Sequence, residues 1–435
     1  MITIRTFEVD VTPEVGDYVC GGLQGRSIAT ESSLLLRGLI LEQDGQRAVI
    51  GAIDYCYTCG KSHQRLESAL AEGAGVPVEQ VTVHSNHVHD APLLYEEVHE
   101  LFAHVTPGVH NETYYAAVLS RTRQAVSAAV ATGGTQVHGI CFGGAAVHQF
   151  ASSRRVLDGE NRCHIRWSVL GRPEDMVLKE APEGKIDPIL DQILFYDEHD
   201  KPVVALCFYA SHPQVSNGRL TWSADTIGFA RDLFEGANPG IFTLYFDGCG
   251  GDVTAGKYTT TNRHRNRVVF GLRLYDAMQT ALDRAKPVRL ERIGWANDVF
   301  DMPLRVEEHD LEYFKQAIED PNNTSKEKYL AGLKYLKLSK NLCHYPFRIS
   351  RLTLDGDNVL FLPAELCVAY QIYAKQSSAT RLATAAYGDC FLNYVATDEA
   401  FDQGGYEVDP KWTEVKPGCE ALIKCAIDRI LAVPT

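Results

Sequence analysis

The sequence predicts an α/β fold in which helices flank a mixed central β-sheet, and two observations indicate this class. Short apolar runs typical of strands alternate with longer amphipathic patterns typical of helices. Gly and Pro stand at the junctions, and no Pro/Ser-rich linker, composition shift or internal repeat divides the 435 residues. Residues 306–340 depart from this alternation and indicate a helical insertion. We therefore expect a single compact domain covering residues 1–435.

Each predicted element follows from the spacing of its apolar residues. Short alternating or continuous apolar runs predict strands at 3–11, 48–53, 80–83, 193–196, 203–209, 241–246 and 358–362. Apolar residues spaced three and four apart predict helices near 60–74, 112–132, 223–235, 263–285 and 417–432. Because the two kinds of element are interleaved, we expect the helices to pack on the faces of the sheet.

Residues 306–340 have the pattern of two amphipathic helices joined by a turn at the Asp-Pro-Asn-Asn sequence of residues 320–323. We interpret this segment as a helical hairpin inserted into the domain. A lid, an oligomer contact and a plain surface excursion all fit such a hairpin, and the surface excursion is the simplest interpretation.

The charge balance argues against two classes of partner. The chain has 42 Lys and Arg against 56 Asp and Glu, a formal net charge of −14. Nucleic acid or an anionic membrane surface would require a basic face. We therefore expect a small-molecule substrate and no nucleic-acid partner.

The sequence also predicts a compartment. The twelve cysteines are irregularly spaced, and the chain opens without the apolar core or cleavage pattern of a signal peptide. We expect a reducing, cytoplasmic location. No apolar run reaches the roughly 18 residues of a spanning helix, so we expect no integral membrane segment. The oligomeric state stays open, with a homo-oligomer among the options.

The strongest local signal for chemistry is the HSNHVHD sequence of residues 84–90, which follows a short apolar strand. Side chains two positions apart on an extended backbone point to the same side, so His87 and His89 are expected to face one cavity. Neutral imidazole is a common zinc ligand, and a second histidine beside it is suited to proton transfer.

Two further candidates stand where predicted strands end. His212 follows the strand at 203–209, and Glu365 follows the strand at 358–362. A strand end can present a side chain into a cleft. Taken alone, each is more often a structural residue than a ligand.

Short motifs spread over nearly the whole chain resemble, in order, those of the neutral/alkaline (non-lysosomal) ceramidases, whose N-terminal catalytic domain is a zinc-dependent amidohydrolase. The opening FEVDVTPEVG resembles the start of that domain. The other matching segments are residues 87–92 (HVHDAP), 153–155 (SRR), 186–188 (IDP), 211–213 (SHP), 223–225 (SAD), 251–254 (GDVT), 363–365 (PAE), 394–397 (YVAT) and 404–407 (GGYE). The ordered set is much more specific than any one motif.

The resemblance implies a Zn2+ site whose four ligands are His87, His212, Glu365 and Tyr394. Nitrogen and oxygen ligands that leave one position open suit a catalytic zinc, at which a bound water loses a proton near neutral pH.

The resemblance further implies catalytic residues around the scissile amide: His89, Arg154 and Tyr406, with Thr254 helping to position the substrate. In that scheme Arg154 and Tyr406 stabilise the oxyanion, while His89 protonates the leaving amine.

Together these observations predict a ceramidase-like, zinc-dependent hydrolase that cleaves an amide bond of a small N-acyl substrate by attack of zinc-bound water. The same parts serve acyl transfer from an ester or lactone, which is the first alternative. A catalytically silent homologue that binds a ligand in the same pocket is the second.

We also expect that ceramide is not the natural substrate. An enzyme that acts on a membrane lipid benefits from export, an apolar docking face or an accessory domain, and the sequence indicates none of these. The net charge of −14 opposes approach to anionic lipid. A small, soluble acyl amide fits these features better.

Overall fold

The computed structural model describes residues 1–171 and 175–434. Its strands are β1 (Ile2–Asp10), β2 (Ala29–Thr30), β3 (Leu35–Gln43), β4 (Gln46–Ile53), β5 (Tyr57–Thr58), β6 (Val81–Ser85), β7 (Leu93–Leu94), β8 (Thr135–Ala146), β9 (Ser152–Ser153), β10 (Arg155–Leu157), β11 (Cys163–Ile165), β12 (Ile189–Asp197), β13 (Pro202–Tyr209), β14 (Thr221–Trp222), β15 (Phe242–Asp247), β16 (Val253–Thr254), β17 (Val288–Arg289), β18 (Ile293–Pro303), β19 (His344–Leu354), β20 (Asp357–Phe361), β21 (Glu365–Leu366), β22 (Leu382–Ala385) and β23 (Tyr394–Val395). The α-helices are α1 (Gly60–Ala74), α2 (Glu96–Phe102), α3 (Glu112–Ala131), α4 (Met176–Glu180), α5 (Asp225–Ala237), α6 (Arg263–Asp283), α7 (Leu311–Glu319), α8 (Ser325–Ser339), α9 (Val368–Ser377), α10 (Asp398–Gln403) and α11 (Cys419–Ala432).

A mixed nine-stranded sheet forms the centre of the molecule. Its strand order is β15-β13-β12-β8-β1-β3-β4-β6, with β17 paired to β8. The pairs β13–β15 and β4–β6 are parallel, whereas the pairs between them are antiparallel. Helices pack against this sheet, among them α1, α3, α5 and α6. The predicted α/β class, a mixed central sheet flanked by helices, is confirmed.

A second sheet of four strands, in the order β18-β19-β20-β22, packs against the first. Side chains of both sheets share one apolar cluster, to which β3 contributes Leu39 and Leu41 and β20 contributes Val359 and Phe361. Alternate residues of β3, such as Leu36, point into the cluster on the helix side. The central strands are therefore apolar on both faces, as is typical of a sheet covered on both sides.

The large sheet is curved, so that β15 at one edge approaches β4 and β6 at the other. Two backbone hydrogen bonds join the ends of these edge strands through the segment that follows β22. Ser85 N donates to Tyr387 O, and Ala386 N donates to Asp247 O. The curvature therefore brings together the loops that follow β6, β13 and β15.

Within residues 306–340, α7 and α8 pack against each other, and α8 packs against α2. Buried ion pairs anchor α8 to the rest of the chain, because Lys337 and Lys334 both donate to the Glu414 carboxylate. Glu307 pairs with the same two lysines. In the described part of the chain, no helix combines the length and apolar character needed to cross a bilayer.

We predict that Gly38→Ala destabilises the fold. Gly38 lies opposite Phe7 in the β1–β3 pair, and a methyl group on Gly38 would stand 1.9 Å from the Phe7 ring. Overpacking of this kind costs about 1–3 kcal/mol of unfolding free energy, measured by urea titration. The control is Gly236→Ala in α5, where an added Cβ meets nothing within 4 Å. Equal stability of the two variants would contradict the predicted role of this contact.

Candidate metal and catalytic site

Three of the four predicted metal ligands meet below the curved sheet edges. His87 follows β6, His212 follows β13, and Glu365 begins β21. The Oε1 atom of Glu365 lies 2.7 Å from His212 Nε2 and 3.2 Å from His87 Nε2. All three side chains are buried, with at most 2 % of their side-chain surface exposed. Loops far apart in sequence therefore place two nitrogens and a carboxylate at one point.

Backbone carbonyls fix which ring nitrogen of each histidine faces this point. The Nδ1 atom of His212 lies 2.8 Å from Gly250 O and 3.0 Å from Val253 O. The Nδ1 atom of His87 lies 3.2 Å from Cys56 O. A carbonyl accepts only from a protonated nitrogen, so these contacts place the N–H on Nδ1 and the lone pair on Nε2.

The resulting arrangement needs a cation. Two Nε2 lone pairs face the completely buried Glu365 carboxylate. Acceptors that face one another in a buried site repel unless a proton or metal ion lies between them. Burial raises the pKa of Glu365 and lowers the pKa values of His87 and His212, which favours their neutral forms. The donor set fits a metal ion.

Tyr394 joins this group through strand pairing. The short parallel strands β21 and β23 place Glu365 opposite Tyr394. The Tyr394 hydroxyl lies 3.4 Å from His212 Nε2. The structure thus brings all four predicted ligands together.

His89 lies at the same centre but is more exposed than His87. Its Nε2 atom is 3.2 Å from His87 Nε2. The donor atoms of His87, His89 and His212 all lie within 4.8 Å of one another, which makes a three-histidine ligand set a second geometric option. Burial, followed by the positive charge of Arg154, lowers the pKa of His89 to about 4.

Arg154 lies beneath two tyrosine rings of the site. Its Nε atom donates to Glu407 Oε1 at 2.8 Å, and its Nη2 atom donates to Gly251 O. Its guanidinium carbon is 5.1 Å from the ring centroid of Tyr394 and 5.0 Å from that of Tyr406. Distances near 5 Å allow cation–π attraction. Arg154 therefore places a buried positive charge next to both phenols.

Thr254, by contrast, does not line the cavity beside the histidines. It is fully buried in β16, and its hydroxyl accepts from Gly256 N at 3.2 Å. Its neighbour Val253 has the clearer connection to the site, because Val253 O receives the His212 N–H.

Several residues of the site were not predicted from the sequence. The His87 ring stacks on two tyrosine rings, with centroid distances of 4.9 Å to Tyr57 and 4.5 Å to Tyr387. The buried Glu407 forms ion pairs with the buried Arg154 and the partly buried Arg155. Of these residues, Glu407 is the one for which the sequence contains a signal, because it adjoins Tyr406 in the GGYE segment. Arg154 and Arg155 are two consecutive arginines that could pair with this carboxylate.

Backbone conformation adds a further constraint at the site. His87, Ala364, Tyr387 and Asn393 have φ angles of 52°, 63°, 61° and 52°. Residues with a side chain rarely adopt this left-handed region, and such strain concentrates at functional sites. His87 is itself a predicted ligand, and Tyr387 stacks on it. Ala364 and Asn393 directly precede predicted ligands in the sequence.

A cavity of about 350 Å³ opens above the centre. Its lining includes the predicted residues His87, His89, Tyr394 and Tyr406. Two free thiols, those of Cys20 and Cys56, also reach it, with their sulfurs 3.4 Å apart. A ligand in this cavity would contact two predicted metal ligands and two predicted catalytic side chains.

Comparisons with known proteins support the fold. No family model matches the sequence, and no curated protein matches it. Two solved structures match over 99 % of this chain and 74 % of their own, each with a TM-score of 0.72. They are a ceramidase complexed with C2, at 15 % identity, and the neutral ceramidase from Pseudomonas aeruginosa, at 16 % identity. The resemblance to neutral ceramidases predicted from sequence is therefore confirmed at the level of the fold.

We predict that Glu407→Gln destabilises the protein by about 3–5 kcal/mol at neutral pH, because it leaves the buried guanidinium of Arg154 and the partly buried one of Arg155 without a carboxylate. Burial alone would raise the pKa of Glu407, but the charges of Arg154 and Arg155 outweigh it and lower that pKa. The ionised carboxylate therefore contributes stability above its unfolded pKa of about 4.3, and this contribution is lost as pH falls through the lower folded value.

The measurement is the unfolding free energy of both proteins from pH 7 down to pH 3, where their difference should shrink. Glu160→Gln is the control, because Glu160 pairs with Arg162 through side chains that are 74 % and 67 % exposed. Exposed pairs contribute about 0–1 kcal/mol. A pH-independent difference between Glu407→Gln and the natural chain would contradict the assigned charge pairing.

Proposed function

We propose that this protein is a zinc-dependent hydrolase that cleaves an amide bond of a small N-acyl substrate. The observation that carries the proposal is the convergence of the His87 and His212 lone pairs on the buried Glu365 carboxylate. The fold shared with two solved ceramidase structures supports the same reaction class.

His87, His212, Glu365 and Tyr394 are proposed to hold the metal ion. Two imidazole nitrogens, a carboxylate and a phenol form the nitrogen and oxygen set that zinc accepts, and carbonyl contacts orient both imidazoles. When bound, zinc supplies Lewis-acid polarisation of a carbonyl and activation of water near neutral pH.

His89 is proposed to move the proton. It is half-buried and lines the cavity, so it is the histidine of this group with access both to the metal ligands and to a substrate. Gln24 Nε2 donates to His89 O at 2.8 Å and holds that loop in place. From this position His89 can accept a proton from the attacking water and return it to the leaving nitrogen.

Tyr406 is proposed to stabilise the oxyanion, since it lines the cavity and its hydroxyl can donate. Arg154 does not line the cavity, and we assign it a positioning and electrostatic role beneath the Tyr394 and Tyr406 rings. The role of Thr254 in substrate positioning stays a prediction without a direct contact to the cavity.

The volume of the cavity favours a small substrate. Ligand pockets commonly span about 300–1,000 Å³, and this cavity, at about 350 Å³, lies near the lower end. We therefore propose a short N-acyl compound over a long-chain ceramide. A cytoplasmic location is part of the proposal, and all twelve cysteines are unpaired, as a reducing compartment favours.

We predict that the purified protein contains about one zinc per chain by elemental analysis, as expected for a mononuclear site. His212→Ala should lose most of this zinc because only three of the four proposed ligands remain. His199→Ala is the control, since this exposed histidine lies far from the site in a surface turn. Full hydrolysis of acyl amides by metal-free protein would rule out zinc dependence.

We predict that His89→Ala retains zinc, while kcat on the best acyl amide falls on the order of 10²–10⁴-fold, the usual contribution of a general acid or base. Zinc content and turnover are measured on the same preparation, with His212→Ala as the variant that should lose both. Loss of metal from His89→Ala would favour the three-histidine ligand set. An accompanying panel of matched esters and lactones decides the bond that is cleaved.

A further inference from the structure

The wall of the cavity that His87 and His89 line also contains a lysine from the inserted hairpin. Lys326 and Tyr329 of α8 both line the cavity. The Lys326 ammonium lies 5.0 Å from the centroid of the Trp412 ring, which lines the cavity as well. Attraction between the ammonium and the ring holds the charge at the cavity edge.

This charge has no acidic partner. No carboxylate lies within 4.0 Å of the Lys326 ammonium in the described part of the chain, and no Asp or Glu is among the residues that line the cavity. The chain has 56 acidic residues against 42 basic ones. The cavity wall therefore has a positive charge, although the chain as a whole has a net negative charge. A positive wall attracts anions.

A second, independent feature of the same cavity points to a polar ligand. Asn393 is 3 % exposed, lines the cavity, and has an amide nitrogen with no hydrogen-bond partner in the described structure. The buried Oε1 atom of Gln24, another lining residue, is also without a partner. Buried amides without partners are costly, and a bound ligand that hydrogen-bonds to them removes that cost.

We propose that the cavity selects N-acyl compounds that carry a carboxylate, with Lys326 as the specificity-determining residue for that group. This inference rests on the proposed function for the position of the scissile amide, but binding tests it separately. A single ammonium supplies one positive charge, which matches a monoanion such as a carboxylate. Because Lys326 lines the same cavity as His87 and Tyr394, two of the predicted metal ligands, the carboxylate and the amide belong to the same small molecule.

The test uses two ligands of nearly equal size, N-acetylglycine and its neutral amide, N-acetylglycinamide. Affinity for the zinc-loaded full chain is measured by isothermal titration calorimetry. We expect the natural chain to bind the carboxylate on the order of tenfold more tightly, a charge-assisted contact reduced by partial solvent exposure. Lys326→Met should bring the two affinities within about twofold, and Lys326→Glu should reverse the preference.

Lys315→Met is the matched control, because Lys315 is an exposed lysine of the same hairpin that does not line the cavity. Zinc content and circular dichroism establish that each variant is folded. Equal affinities in the natural chain, a preference that persists in Lys326→Met, or binding of neither ligand overturns the inference. Cleavage is followed separately by release of the amine. A carboxylate preference in binding without cleavage of either ligand leaves the inference standing and contradicts the proposed function.

Discussion

The Glu365 carboxylate, completely buried and facing the lone pairs of two histidines, is the constraint on which the site depends. A carboxylate in this position is unfavourable by itself, because burial removes its hydration and neighbouring acceptors repel it. A divalent cation at the same point reverses each of these effects. The carbonyl oxygens of Cys56, Gly250 and Val253 accept from the Nδ1 atoms of the two histidines. Each imidazole therefore keeps on Nε2 the lone pair that a metal ion would bind. The polar geometry therefore fits a metal ion bound among these three side chains.

The curvature of the central sheet makes this convergence achievable. In a flat sheet, β6 and β15 would lie at opposite edges, and the loops after them would be far apart. Here the edges approach each other, and the residues after β22 connect them through backbone hydrogen bonds. The left-handed conformations at His87, Ala364 and Tyr387 then turn the chain sharply where ligands must point inward. Such local strain persists because the surrounding core over-determines the backbone there.

The sequence allowed the prediction of elements whose apolar spacing is decisive. Strands such as β13 and helices such as α6 lie close to their predicted positions. The long β18–β19 pair was not predicted, because β18 is largely half-buried and interleaves polar residues such as Asn297 and Asp298 with apolar ones. Its partner, β19, begins with the exposed residue His344, the half-buried Tyr345 and the exposed Pro346. Such strands are stabilised by tertiary packing, and their local sequence therefore does not predict them.

The residues of the site also fall into two groups, those that the sequence could identify and those that it could not. Its ligands stand in recognisable motifs, so the sequence and the family resemblance could place them. Tyr57 and Tyr387 could not be identified, because a tyrosine that stacks on a ligand has the same local pattern as any core aromatic. The ion pair of Glu407 with Arg154 is visible only in the folded chain. Contacts between residues about 250 positions apart, as in this pair, leave no periodicity in the sequence.

In the proposed function, the inserted hairpin contributes to substrate choice and not to the chemistry. The proposed metal ligands and His89 lie outside residues 306–340, whereas Lys326 and Tyr329 lie within them and form part of the cavity wall. Buried ion pairs of Lys334 and Lys337 with Glu414 fix the hairpin to the segment that also contains Trp412. Lys326, which contacts the Trp412 ring, is therefore held at the cavity edge. Reactions are set by the site and selectivity by the groups around it. In the proposed function, a hairpin anchored in this way can change which acyl compound enters without disturbing the buried carboxylate or the imidazoles that face it.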